Sequence, residues 1–313
     1  MMPEARPCVL VFAGLDPSGG AGLSADLQAI AGQGAHALTV CTALTVQDND
    51  RVYGVRPVEA ELVLRQARAL ADKFVISAIK IGITGSAANA QAIADFIVWL
   101  RSRAPTLGSQ PATSAATAST AAAATTTVSA AAGGVSPTAA AAGADAIPGA
   151  GVADGAWGRA ELPVVLDPVL ASGHGDLLSR DDAAQALAPL LPLTTILTPN
   201  GPEAQTLSDA TQPEAQADAL RARGCRHVLI TGGHGDGDHV INRWYGPGAP
   251  REWRWPRIDG AFHGSGCTLA AAIAGQLAAG LPTAIALEQA QHYVYHALRD
   301  AYAIAAGQRI PLR

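Results

Sequence analysis

The stretch CVLVFAGLDPSGGAGLSADL (residues 8–27) shows how the chain is built, because an apolar, β-branched run passes through a glycine-rich turn into a helical pattern. The same order recurs along the chain. Apolar runs typical of strands cover residues 8–13, 37–46, 77–83, 163–167, 193–198 and 227–232. Segments of helical period cover residues 23–33, 58–73, 87–101, 180–190, 202–207, 215–223, 264–279 and 282–306. This alternation predicts an α/β fold with a doubly wound, mostly parallel sheet flanked by helices.

One segment interrupts the alternation. Residues 104–160 are dominated by Ala, Thr, Ser and Gly, and residues 104–144 contain no charged side chain. The segment offers no apolar stripe on which a helix could dock, so we expect it to be disordered. It falls inside one alternating series, which predicts a single domain formed by residues 1–103 and 161–313 with 104–160 as an insertion. A hairpin is predicted at residues 239–245 and 251–255.

Composition excludes several classes of protein. The chain has 313 residues, a formal net charge of −5 and no basic run, which argues against nucleic acid as a partner. The four cysteines show no metal-ligand spacing and are expected to be reduced thiols. The apolar run near the N-terminus is too short for a secretory signal, and no run of about 18 apolar residues follows. We therefore expect a cytoplasmic protein that does not bind membranes.

Two glycine-rich motifs carry the strongest chemical signal. In AGLDPSGGAGLSADL (13–27) the glycines allow close approach of the main chain to a ligand, although a tight turn with incidental glycines explains them equally well. In DGAFHGSGCTLAAAIAGQLAAG (259–280) a GSG triplet opens an apolar helix, so free backbone N–H groups and the helix dipole favour an anion. Cys267 lies in the first turn, a position predicted to lower the pKa of its thiol, unless it is simply a small buried residue.

Three further motifs lie at predicted strand ends. VLDPVLASGHGD (165–176) places Asp167 at a strand end, and TGGH (231–234) adds a glycine turn. In LTPNGPEA (197–204), Asn200 and Glu203 are three residues apart on one face of a helix, where their oxygens could reach a hydrated Mg²⁺ beside phosphates. Each motif alone is typical of turns and caps. Together, at the carboxyl ends of strands, they predict one active-site crevice.

In order, these motifs together with TALTVQDND and IKIGI resemble bacterial hydroxymethylpyrimidine/phosphomethylpyrimidine kinases of the ribokinase-like superfamily. The resemblance runs from about Val9 to the final helix. It implies a ribokinase-like fold, ATP with Mg²⁺ as cofactors, and transfer of the γ-phosphoryl group to an aminopyrimidine and its monophosphate, yielding the diphosphate for thiamine biosynthesis. It also implies a homodimer.

The resemblance implies roles for individual residues. For the aminopyrimidine pocket they are Gln47, which hydrogen-bonds the ring, with Gly14, Ala21 and Asp26. For phosphoryl transfer they are the anion hole Gly264, Ser265 and Gly266, with Cys267 as catalytic base. For ATP and phosphate they are Asn200, Glu203, Thr231 and His263, with Mg²⁺ held by Glu203 and, through water, by Asn200.

Alternatives to this interpretation remain. Thr231 stands where many family members have lysine, and threonine there is also seen in related pyridoxal kinases, so a pyridoxal or pyridoxine kinase is the first alternative. A thiol-nucleophile hydrolase would use Cys267 with His263 or His174. A ligand-binding protein that retains the fold without catalysis is the third.

Overall fold

A nine-stranded sheet forms the centre of the computed structural model, which describes residues 5–103, 161–171, 175–176 and 182–313. The strands are β1 (Cys8–Leu15), β2 (His36–Gln47), β3 (Val52–Pro57), β4 (Ile76–Ile81), β5 (Val164–Leu166), β6 (Ile196–Leu197), β7 (His227–Ile230), β8 (His239–Tyr245) and β9 (Arg251–Pro256). Their spatial order is β3-β2-β1-β4-β5-β6-β7-β8-β9. Strands β2, β1, β4, β5, β6 and β7 pair in parallel, whereas β3, β8 and β9 add antiparallel edges. The predicted mostly parallel sheet is thus confirmed.

Helices cover both faces of the sheet. They are α1 (Gly22–Gly32), α2 (Ala60–Lys73), α3 (Ala87–Ser102), α4 (Ala183–Ala186), α5 (Gly201–Ser208), α6 (Pro213–Ala222), α7 (Ser265–Ala278) and α8 (Thr283–Arg299). Successive side chains of β1 point to opposite faces of the sheet, so a layer of helices is needed on each face. Leu10 and Phe12 belong to one buried apolar cluster, which includes α3, whereas Val9 and Val11 belong to another, which includes α1, α7 and α8.

Residues from both sides of 104–160 build this one sheet. Ile79 pairs with Val164 and Ile81 with Leu166. The Arg101 guanidinium, near the end of α3, donates a hydrogen bond of 2.9 Å to the carbonyl oxygen of Leu162. The predicted disorder of 104–160 and the candidate His174 lie outside the described residues.

Three elements differ from the prediction. Strand β3 is not among the predicted strands, and its Gly54 and Pro57 are tolerated because it forms an antiparallel edge of the sheet. The last helix ends at Arg299, not near residue 306. The chain turns back there, since Tyr302 pairs with Ile310. Of the helix predicted at 180–190, the described part contains only the single turn of α4. The predicted hairpin is confirmed as β8 and β9.

Candidate active site

A cavity of about 530 Å³ opens at the carboxyl edge of the parallel strands, where the turns after β1, β4, β5, β6 and β7 meet. Most of the residues proposed from the sequence line it, namely Gly14, Ala21, Gln47, Asn200, Glu203, Thr231, His263, Gly264, Ser265, Gly266 and Cys267. The exception is Asp26, whose side chain is fully buried beneath the cavity.

The N-terminus of α7 faces this cavity. Gly264 precedes the helix with φ of 82°, and a Cβ atom there would lie 2.1 Å from the carbonyl oxygen of Gly20, so the position requires glycine. Ser265, Gly266 and Cys267 form the first turn, whose backbone N–H groups find no carbonyl partner within a helix. Together with the helix dipole, these N–H groups favour an anion at this position.

A buried aspartate joins the two glycine-rich motifs. Asp16 accepts hydrogen bonds from the backbone N–H groups of Ser18 (2.8 Å) and Ala21 (2.7 Å), and its Oδ2 lies 2.9 Å from Nε2 of His263. Burial alone raises the pKa of Asp16, but the hydrogen bonds from His263, Ser18 and Ala21 outweigh burial and lower it. A Cβ atom on Gly20 would lie 2.2 Å from the imidazole of His263. The position of this imidazole therefore explains why the second glycine of DPSGG is needed.

The thiol of Cys267 differs from the sequence prediction. Burial raises its pKa to about 12, Lys80 lowers it, and Asp167 and Asp26 raise it further. The predicted lowering of the thiol pKa at the start of α7 is therefore wrong, because the loss of solvation and two carboxylates outweigh the helix terminus. The carboxyl group of Asp167 is the thiol's neighbouring polar partner.

Lys80 and Asp26 form an ion pair that sequence reasoning missed. Nζ of Lys80 lies 2.9 Å from Oδ2 of Asp26, both side chains are fully buried, and Asp167 Oδ2 lies 4.0 Å from the same ammonium. Asp26 was expected to line the pyrimidine pocket; instead it meets Lys80, which itself lines the cavity. The signal was present in IKIGI, where a lysine stands among isoleucines in a strand, a place where a charge requires a partner.

Asn200 and Glu203 make a reciprocal capping box at the start of α5. The backbone N–H of Glu203 donates to Oδ1 of Asn200, and the backbone N–H of Asn200 donates to Oε2 of Glu203, each at 2.9 Å. Burial and then the charge of Asp167 raise the pKa of Glu203 to about 8, although hydrogen bonds from the backbone of Asn200 and Leu170 oppose the rise. Asn200 and Glu203 thus have a structural role as the cap of α5. Burial and the nearby Asp167 disfavour a negative charge on the carboxyl group of Glu203.

Thr231 begins a glycine-rich loop held by an arginine that the sequence analysis did not identify. The Arg257 guanidinium donates hydrogen bonds of 2.7, 3.0 and 2.6 Å to the carbonyl oxygens of Gly237, Gly233 and Gly235. Arg257 also lines the cavity. It therefore brings a positive charge to the wall that lacks a lysine at position 231.

The cavity has ends of different chemistry. At one end the Gln47 side chain donates a 2.5 Å hydrogen bond to Oγ1 of Thr45, near the backbone of Gly14 and Ala21. The other end is apolar and aromatic, and the indole of Trp255 packs against the ring of Tyr295 with 5.6 Å between ring centroids. The start of α7 lies on the same cavity as both ends.

The geometry also bears on the alternatives. His263 points its Nε2 at Asp16, not at the thiol of Cys267, which removes one of the two histidines available to a thiol hydrolase. Within the described ranges, no three His, Cys, Asp or Glu side chains are grouped to hold a metal ion by themselves. No helix in the described part of the chain combines the length and apolarity needed to cross a bilayer.

Comparisons with known proteins agree with the motifs. The family model described as phosphomethylpyrimidine kinase matches residues 16–130 and 149–312. A hydroxymethylpyrimidine/phosphomethylpyrimidine kinase of Streptomyces coelicolor is 31% identical over 97% of this chain and 93% of its own length. The thiamine biosynthesis multifunctional protein ThiED of Corynebacterium efficiens is 30% identical over 97% of this chain and 34% of its own length.

Solved structures share the fold. An ADP complex of Bacillus subtilis pyridoxal kinase matches with a TM-score of 0.71 and 22% identity, covering 98% of this chain and 97% of that one. A phosphomethylpyrimidine kinase of Clostridium difficile matches with a TM-score of 0.64 and 23% identity, covering 92% of this chain and 98% of that one. At these identities the likeness concerns the fold alone, and the predicted ribokinase-like fold is confirmed.

Proposed function

The chain belongs to the phosphomethylpyrimidine kinase family and is a phosphotransferase, and we propose that it transfers the γ-phosphoryl group of ATP to hydroxymethylpyrimidine and then to the resulting monophosphate, for thiamine biosynthesis. One observation carries this proposal. The amide of Gln47, the N-terminus of α7 and the aromatic wall at Trp255 all line the same cavity, so acceptor, phosphates and nucleotide base have adjoining places.

The pyrimidine belongs at the Gln47 end. An amide both donates and accepts hydrogen bonds, which matches the ring nitrogen and amino group of an aminopyrimidine. Backbone at Gly14 and Ala21 forms the wall beside it. Asp26 takes no direct part in this pocket, because its carboxylate is paired with Lys80.

Phosphoryl transfer takes place at the start of α7. The N–H groups of Ser265, Gly266 and Cys267 receive the charge of the transferred group, whose transition state is mainly stabilised by positioning and electrostatics. The hydrogen bond between Asp16 and His263 keeps the preceding loop in place. The acceptor oxygen forms its bond to phosphorus as the bond between the γ-phosphorus and the bridging β–γ oxygen breaks.

Cys267 is the group placed to accept the proton of the acceptor hydroxyl. Since the pKa of the thiol is raised to about 12, only a small fraction is thiolate at neutral pH, and forming it costs roughly 7 kcal/mol at 1.36 kcal/mol per pKa unit. Cys267 can accept the proton only as the thiolate, and in phosphoryl transfer little proton transfer is needed before the bond to phosphorus forms.

Glu203 and, through water, Asn200 are the residues that would hold Mg²⁺. The fit rests on the carboxyl group of Glu203, whose pKa of about 8 shows that its charge lacks compensation beside Asp167, and on hard oxygen donors of the kind Mg²⁺ prefers. When bound, Mg²⁺ neutralises charge on the phosphates of ATP.

Mass spectrometry of the products tests the function directly. With hydroxymethylpyrimidine and MgATP we expect first the monophosphate and then the diphosphate. Thr231 keeps a pyridoxal kinase as the second candidate, so pyridoxal is assayed side by side under the same conditions. A large kcat/KM preference for pyridoxal would replace the pyrimidine assignment, and accumulation of monophosphate alone would restrict the proposal to the first transfer.

We also propose that two copies of the chain associate. Leu15 pairs with Leu44 in the sheet, and with Val46 these side chains form an apolar group near the β3 edge, with exposed fractions of 40%, 48% and 65%. A second copy would cover this face. Light scattering after size exclusion should give a dimer mass that the Val46→Asp variant reduces to that of a monomer.

Reduced thiols and the use of ATP favour the cytoplasm as the location of this enzyme. The four cysteines are free in the structure, and Cys267 must remain unmodified to accept a proton. Cell fractionation followed by detection of the protein tests this location.

A further inference from the structure

The ammonium group of Lys80 lies beneath the anion hole among other charges. Lys80 belongs to β4, Asp26 to α1, and Asp167 follows β5, so three elements converge here. Arg313 is a second cation that interacts with this group, and its guanidinium donates to Oγ1 of Thr268 at 2.8 Å and to the carbonyl oxygen of Gly20 at 2.5 Å. Gly82 leaves room for Lys80, because a Cβ atom there would lie 2.9 Å from Nζ.

Stability does not explain this arrangement. A fully buried ion pair contributes little to folding, because removing both charges from water offsets their attraction, and apolar residues of similar volume often serve as well. This pair is also incompletely satisfied, since Oδ1 of Asp26 has no hydrogen-bond partner among the described residues. One carboxylate contact at 2.9 Å leaves donors of the ammonium group for another anion.

We propose that Lys80, fixed by Asp26, is a positioning residue for phosphoryl transfer whose ammonium group stabilises the negative charge that Cys267 carries when it is ready to accept the substrate proton. This inference rests on the proposed role of Cys267 as base. Lys80, Cys267 and Asp167 all line the cavity, Nζ of Lys80 lies 4.0 Å from Oδ2 of Asp167, and a Cβ atom on Gly266 in α7 would lie 3.7 Å from Asp167.

The charges that face Cys267 act in opposite directions. Lys80 and Arg313 favour the thiolate, whereas Asp167 and Asp26 oppose it. The contribution of Lys80 is larger than that of either carboxylate, and the pKa of Lys80 itself is raised by Asp26, Cys267 and Asp167 against the effect of burial. Lys80 therefore remains charged at neutral pH, where it favours the thiolate.

The alkylation rate of Cys267 by iodoacetamide reports its thiolate fraction, and it is measured on the full chain without substrates by mass spectrometry of the Cys267 peptide. The main variant is the double substitution Asp26→Asn with Lys80→Met, because replacing a buried ion pair by a neutral pair is usually tolerated. At pH 8 we expect it to be alkylated about tenfold more slowly than the wild type, a change of about one pKa unit. Lys73→Met, on an exposed lysine of α2, is the matched control and should leave the rate unchanged.

A second variant predicts the opposite direction. Asp26→Asn alone leaves the cation, keeps a side-chain oxygen that can accept its hydrogen bond and removes one opposing charge. Alkylation of Cys267 should therefore become faster, whereas a purely structural role for the pair would not give opposite signs. Lys80→Arg keeps the charge and should stay near the wild-type rate. Alkylation of the double variant at or above the wild-type rate, in a protein with native circular dichroism, contradicts the inference whatever its kinase activity.

Turnover measured on the same samples separates this inference from the proposed function. Slower alkylation of the double variant, together with a matching loss of kcat and an unchanged KM for ATP, supports both. Slower alkylation together with normal turnover of Cys267→Ala would contradict the role of Cys267 as base and, with it, any role of Lys80 in the reaction.

Discussion

Asp16 and His263 lie 247 positions apart in the chain, yet Oδ2 of the first is 2.9 Å from Nε2 of the second. This contact fixes the loop before α7 against the turn after β1. Asp16→Ala would leave several partly buried donors without an acceptor, so we expect a loss of about 2–4 kcal/mol in the free energy of unfolding and a lower kcat. Chemical denaturation measures the first effect and steady-state kinetics the second, with Asp218→Ala, at an exposed position of α6, as the control.

The same aspartate should make stability sensitive to acid. Its pKa is lowered in the folded chain, so its contribution is fully present above the unfolded value of about 3.8 and is lost as pH falls through the lower folded value. The stability difference between wild type and Asp16→Asn should therefore shrink below about pH 4. A constant difference down to pH 2 would contradict this account.

Cys267→Ala should lower kcat by about 100-fold to 10,000-fold, the usual contribution of a positioned base, with nearly unchanged KM for both substrates. Because the thiol pKa of about 12 lies far above neutral pH, the logarithm of wild-type kcat should rise by about one for each pH unit between 6 and 8, provided that chemistry limits turnover. The alanine variant should lose this slope. Cys41→Ala serves as the control, and wild-type turnover of Cys267→Ala would contradict the assignment of the base.

Gln47→Leu should lower kcat/KM for the pyrimidine by about 10–100-fold, since a polar pairing worth about 1–3 kcal/mol is lost. The KM for ATP should not change, because the nucleotide belongs to the opposite end of the cavity. Gln91→Leu, at an exposed position of α3, is the matched control. An equal loss for both substrates would place Gln47 outside the pyrimidine pocket.

Glu203 should make the magnesium-free protein less stable in mild alkali. The pKa of Glu203 rises from 4.5 in the unfolded chain to about 8 in the folded chain. The contribution of Glu203 to stability is therefore fully present below pH 4.5 and is lost as the pH rises through about 8. The Tm of the wild type, measured with EDTA, should fall more between pH 5 and pH 8.5 than that of Glu203→Gln, which keeps an acceptor for the cap. Adding Mg²⁺ with ADP should raise the Tm of the wild type more than that of the variant, and parallel Tm curves for the two proteins would contradict this role.

Deleting most of residues 104–160 should leave a folded, active kinase. We propose that the domain consists of residues 1–103 and 161–313, and the hydrogen bond from Arg101 to the carbonyl oxygen of Leu162 shows that the two flanks meet. A short Gly/Ser linker should therefore replace the insertion, with circular dichroism and kcat close to those of the full chain. Loss of activity in a variant that still folds would assign a role to the insertion.

The sequence was informative where chemistry coincides with local pattern. Glycines, or a helix cap such as Asn200, follow the predicted strands and indicated where the cavity lies. The reason is that parallel strands bring their carboxyl ends to one edge of the sheet. The pairing of Lys80 with Asp26 was not predictable in the same way. The two residues are 54 positions apart. A lysine within an apolar strand indicates that a partner of opposite charge is needed, but not which residue provides it.

Electrostatics and chain ends were the least predictable features. The position of Cys267 in the first turn of a helix correctly suggested exposure to the helix dipole, yet the thiol pKa depends on burial and on carboxylates contributed by other elements. The end of α8 at Arg299 depends on the return of the chain, in which Ile310 pairs with Tyr302. Neither effect leaves a periodic signal in the sequence.

The pairing of β4 with β5 has a consequence for synthesis of the protein on the ribosome. When Ile81 has emerged, β4 can pair with β1, but its other edge has no partner until Val164 to Leu166 are made. Translation of the intervening chain takes roughly 4–16 s at about 5–20 residues per second. During that time an apolar strand edge is open to other nascent chains. Residues 104–160 therefore lengthen the interval in which this strand edge has no partner.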